Sequence, residues 1–113
     1  MRKLVLMLLL TFASPPAAVA LTAKSPDDCG IIAAMVFDGH VVQRYVSPAV
    51  LPRVLRDLYY IPLGAESYRT TYPAAVARFV AKPEFAKTEP LALMTVIGDA
   101  CMRLQGDLTA VFK

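Results

Sequence analysis

Residues 88–106 read Thr-Glu-Pro-Leu-Ala-Leu-Met-Thr-Val-Ile-Gly-Asp-Ala-Cys-Met-Arg-Leu-Gln-Gly. This stretch decides the fold class. Thr88 is an N-cap residue type, and Pro90 suits the first helical position, where its missing N–H costs nothing. Leu91, Met94, Ile97, Cys101 and Leu104 follow at steps of three and four, the spacing of one helical face. Gly106 is a natural stop. The segment therefore predicts a helix that carries a cysteine, Cys101, on its buried stripe.

Three further helices precede it. Ser25-Pro26-Asp27-Asp28 is a helix start: a serine cap, then proline, then two carboxylates at the positive end of the helix dipole. The first helix is expected from Pro26 to about Arg44, burying Cys29, Ile32, Ala33, Val36 and Phe37. Gly39 marks either a bend or a place where another helix comes close. Ser47-Pro48 opens the second helix, with Val50, Leu51, Val54, Leu55 and Leu58 as its apolar positions. Pro52 leaves two readings, a kink or a later start at Pro52 itself. The third helix is expected over Glu66 to Ala81, with Val76, Phe79 and Val80 inward and Arg78 and Lys82 outward. Pro73 raises the same question there. Phe85 is expected to fold back onto the core. The tail from Asp107 to Lys113 either frays or packs. No strand alternation persists, so the fold expected is all-α, a small four-helix domain.

The two cysteines, Cys29 and Cys101, lie 72 positions apart, on the first and last helices. Their pairing follows from the first twenty residues, MRKLVLMLLLTFASPPAAVA. Arg2 and Lys3 precede an apolar run from Leu4, two prolines break it, and Ala18-Val19-Ala20 places small residues where a signal peptidase reads them. The run is too short to span a bilayer, so residues 1–20 read as a signal peptide. The mature chain, about residues 21–113, is then a single domain, periplasmic or secreted, without stable membrane insertion. In an oxidising compartment two such cysteines form one disulfide. The loop-entropy model assigns the link about 4 kcal/mol. A bridge needs the two Cα atoms within about 4.4–6.8 Å, so the first and last helices are expected to run antiparallel.

Removing twenty of the 113 residues leaves 93, of which about half are apolar. That composition fits a packed globule and not a disordered chain. Arg2 and Lys3 leave with the leader, lowering the formal net charge from +3 to +1. Arg44, Arg53, Arg56, Arg69, Arg78 and Lys82 are dispersed, and nucleic acid selects a concentrated basic face; no nucleic-acid partner is expected.

No catalytic set assembles from the sequence. His40 is the only histidine, and no serine lies near it in the chain. There is no phosphate loop, no HExxH pair and no CxxC motif, so neither a metal nor a cofactor is expected. Asp27 and Asp28 read as helix-start residues. A small hydrolase centred on His40 is the enzymatic alternative. Binding another protein fits the pattern better. Tyr59, Tyr60, Ile61 and Leu63 form an aromatic-apolar corner around Pro62, with Arg56 beside it, and tyrosine and arginine are enriched at binding hot spots. The competing structural reading is that these tyrosines cap the core. Met35, Met94 and Met102 are expected to fill the core.

The mature chain also resembles a group of small exported two-cysteine helical proteins of proteobacteria. The matching pieces are Asp28-Cys29 with Ile32, Ala33 and Val36, then Arg44, then Val76 to Phe85, then Pro90 leading to Cys101. It is similar, more loosely, to the Tai/Rap-type immunity proteins of type VI secretion amidases, a likeness that implies an exported toxin enzyme as partner. A second loose likeness is to HdeA-type periplasmic chaperones, although this chain carries fewer lysines and acidic residues. It implies the holding of unfolding clients at low pH.

Overall fold

A computed structural model describes residues 26–59 and 66–113, with side-chain detail over 28–59 and 72–113. The expected leader, the expected cap Ser25 and the corner residues Tyr60, Ile61 and Leu63 lie outside the described residues. Four α-helices follow in order: α1 (Pro26–Val42), α2 (Leu51–Leu58), α3 (Glu66–Val80) and α4 (Pro90–Arg103), with a single 3-10 turn, Pro83–Phe85, before α4. The chain is all-α among the described residues.

The disulfide joins Cys29 in the first turn of α1 to Cys101 near the end of α4, with Cα atoms 5.6 Å apart. Both cysteines are buried. At the far end of the same pair, the His40 ring nitrogen Nε2 lies 2.6 Å from the Thr88 carbonyl. α1 and α4 are therefore antiparallel along their whole shared length. Gly39 lies where α1 meets α2 and α3: a Cβ there would come 3.3 Å from Leu55 Cδ1 and 3.4 Å from Val76 Cγ1. Of the two readings of Gly39, close approach is the one that holds.

The proline at 52 falls in the first turn of α2, where no helical bond is lost. Ser47 O accepts from Val50 N and Leu51 N, and Val50 O from Arg53 N and Val54 N, so a separate turn leads into the helix. Pro73, in contrast, lies inside α3 and is buried; surrounding packing offsets the missing bond.

Several expectations need correction. α1 ends at Val42, and Arg44 is in the exposed turn beyond it. Its buried face includes Met35, Gly39 and His40, while Phe37 is only half-buried. On α2 only Leu51 and Leu55 are buried; Val50 and Val54 are half-buried and Leu58 is exposed. The N-cap of α4 is Glu89, with no side-chain cap bond, so Thr88 does not cap it. The buried face of α4 is Leu93, Ile97, Ala100 and Cys101. Leu91, Met102 and Leu104, expected inside, are exposed.

On α3, Val76, Phe79 and Val80 are buried and Arg78 is exposed, in line with the sequence. Lys82 is half-buried, its ammonium 5.4 Å from the Phe79 ring centroid. Phe85 does fold back, 4.8 Å from the Phe79 centroid. The tail packs: Leu108 and Phe112 are buried, and Phe112 meets Phe79 and Tyr72 edge-on at 5.2 and 6.4 Å. Edge-to-face pairs at such distances add to the gain from apolar burial.

Candidate functional site

His40, the histidine that sequence reading singled out, lies in the last turns of α1. His40 is 1% exposed. Gln43, three residues on and so on the same helical side, donates its amide N–H to His40 Nδ1 over 2.8 Å. The same amide nitrogen also donates to the His40 carbonyl at 3.3 Å. With Nδ1 accepting, Nε2 carries the proton and donates it to the Thr88 carbonyl. The imidazole is thus a bridge between α1 and the turn ahead of α4, with both nitrogens occupied. Among the described residues no carboxylate lies within ion-pair distance of it.

A second tie lies close by in the chain. The Tyr59 hydroxyl, at the end of α2, donates a short hydrogen bond to the Asp38 carboxylate. Tyr59 is 9% exposed. Burial, the bond to Asp38 and that carboxylate's negative charge, in that order, hold the phenol above the usual tyrosine range. The tyrosine closes the core and anchors α2 to α1, which is the structural reading of this residue.

These bonds form two separate internal fastenings, His40 with Gln43 and Thr88, and Asp38 with Tyr59. No serine, threonine or cysteine side chain is hydrogen-bonded to His40 among the described residues. The two cysteines are spent in the disulfide, and among the described residues no group of three His, Cys, Asp or Glu is placed to hold a metal ion. Sequence reading missed Asp38, Gln43 and the Thr88 carbonyl. The Gln43 contact was available as an i, i+3 pair with His40; the Thr88 carbonyl lies in the turn ahead of α4 and Asp38 meets Tyr59 at the end of α2, so neither contact left a local signal.

Of the residues offered for partner binding, Arg56 is exposed on α2, with Arg53, Asp57 and Leu58 beside it. Leu58 is 55% exposed. Arg56 Nε lies 3.8 Å from Asp57 Oδ1, an exposed contact of little energetic weight that leaves the guanidinium available. No described helix is long and apolar enough to cross a membrane. The chain matches no protein-family model, no curated protein and no solved structure.

Proposed function

We propose that this is an exported, disulfide-tied helical protein that acts by binding another protein, as an inhibitor or immunity factor against an exported enzyme. The observation that carries the reading is the outer edge of α2. There Arg53, Arg56 and Leu58 are all exposed on one short helix, just ahead in the chain of Tyr60, Ile61 and Leu63. Arginine is a residue type enriched at interface hot spots, and Leu58 adds exposed apolar area on the same helix. The leader-like start and the disulfide support an oxidising compartment as its place of work.

The internal bonding of His40 favours binding over hydrolysis. A general base needs a nitrogen free to take a proton from a nucleophile, and here Nδ1 already accepts and Nε2 already donates.

The test is capture from periplasmic extract with the oxidised protein as bait, compared with an Arg56→Glu/Leu58→Ser variant of unchanged melting temperature. The expected result is retention of an exported enzyme whose activity falls in the complex, lost in the variant. Equal retention by both proteins, or no loss of enzyme activity on binding, would overturn the proposal.

A further inference from the structure

The segment after α4 is held to the rest of the molecule by side chains rather than by helix packing. Over the described residues α3 and α4 make almost no direct contact with each other. The tail bridges them instead. Leaving the end of α4, it reaches Tyr72 and Phe79 of α3, where the Phe112 ring sits edge-on to both. Leu108, one helical turn earlier, is fully buried, and Phe112 N donates to its carbonyl over 3.1 Å. Lys82, just beyond α3, donates from Nζ to the Lys113 carbonyl over 3.2 Å. The seat for Phe112 is thus built by α3 and the residues that follow it, not by the helix to which the tail is joined.

The hinge that sends the tail there is short. Gln105 and Gly106 have φ of 55° and 87°. Both values are left-handed, and only the glycine adopts that region without strain. Carrying the helical conformation of α4 through these two residues removes the strain from Gln105 and lifts the tail off its own molecule. Beside the hinge, Met102 is 58% and Leu104 38% exposed. The exposed charges on either side of it, Arg103 and Asp107, are opposite in sign.

We infer that residues 107–113 are an exchangeable arm, and that two copies of this chain trade tails across a two-fold axis at the hinge. Phe112 of each copy then takes the seat beside Tyr72 and Phe79 of the other. The tail's contacts are the same in both forms, so a seat that fits the tail of its own chain fits that of a second copy. What differs is the hinge. The exchanged form relaxes Gln105 in both copies and brings Met102 and Leu104 of one copy toward those of its mate. Against this stands the loss of the short tether, which holds a tail near its own seat at an effective concentration on the order of 1 mM. The dimer is therefore concentration-dependent, with a dissociation constant of about 0.1–1 mM. The inference is independent of the binding role proposed for α2.

Sedimentation equilibrium of the oxidised full chain at up to about 1 mM tests it, together with isotope-filtered NOE spectra of mixed labelled and unlabelled protein. The wild type is expected to pass from monomer to dimer mass, with NOEs from Phe112 of one copy to Phe79 and Tyr72 of the other. Gln105→Gly relaxes the closed hinge while keeping every tail contact. It is expected to weaken the dimer about tenfold, because two hinges are relaxed per dimer. Gly106→Ala strains the closed hinge further and is expected to tighten the dimer about tenfold. Leu58→Glu, on α2, is expected to associate like the wild type. A wild type that stays monomeric throughout would overturn the inference. So would a dimer whose Phe112 NOEs arise only within one copy, or a Gln105→Gly variant that dimerises as tightly as the wild type.

Discussion

Gln105 is the one described non-glycine residue with positive φ, at 55°. It stands just past the end of α4, donating its N–H to Met102 O, while Gly106 N donates to Cys101 O over 2.7 Å. That pair of bonds is the Schellman ending, with glutamine in the left-handed position glycine usually fills. Gln105→Gly is therefore expected to stabilise the protein by about 0.5–1 kcal/mol, read as a higher urea midpoint at unchanged slope. Tyr59 gives a pH-dependent counterpart. Its phenol holds its proton more tightly folded than unfolded. The Tyr59 contribution is accordingly complete below the unfolded-state value of about 10 and is lost as pH rises above it. Tyr59→Phe is expected to lower stability near neutral pH by about 1–2 kcal/mol and to flatten the alkaline decline above about pH 10. Chemical denaturation at several pH values measures both effects, and an alkaline slope equal in wild type and variant would count against this role.

The helices themselves were legible in the sequence, because the prolines at 26, 52 and 90 mark starts without reference to tertiary structure. The inward side of α4 was not. From Pro90 to Gly98 the helix has no charged residue, so a row through Leu91, Met94 and Ile97 looks as good as the true row through Leu93, Ile97 and Ala100. Where charge is absent, periodicity gives a helix without fixing its rotation. Thr88 was misread for a related reason: its side chain is of capping type, but its carbonyl is the group that matters, and the bond partner is 48 residues away. The tail was undecidable because its burial depends on Phe79 and Tyr72 of another helix. Gly39 shows the reverse, a residue whose two sequence readings differ in their response to mutation. Gly39→Ala is expected to be nearly neutral, since about 0.8–1 kcal/mol of helix propensity offsets the small shift asked of Leu55 Cδ1. Gly39→Val is expected to cost about 1–3 kcal/mol by overpacking. Thermal melts separate the two, and equal melting temperatures for both variants would contradict a close helix approach at this position.

For the whole molecule, one covalent tie and one hydrogen-bonded tie hold the two ends of the α1/α4 pair, with the α2/α3 pair packed against α1. The site is less legible than the fold. Arg56 could be placed on an exposed edge from the sequence. The inward turn of Tyr59 was one of two readings, and what selects it is Asp38, 21 residues earlier in the chain. The long loop closed by the disulfide, 72 residues in separation, makes the bridge the largest single contribution expected here. Reduction is expected to lower unfolding free energy by about 4 kcal/mol, seen as a fall in urea midpoint when reductant is included. Reduction without effect on the midpoint would mean that the helices hold each other unaided.

The most direct measurement is peptide mapping by mass spectrometry of protein purified without reductant, with thiols blocked under denaturing conditions. The account predicts a single cross-linked peptide pair containing Cys29 and Cys101 and no blocked thiol. Two blocked, unlinked cysteine peptides would contradict it.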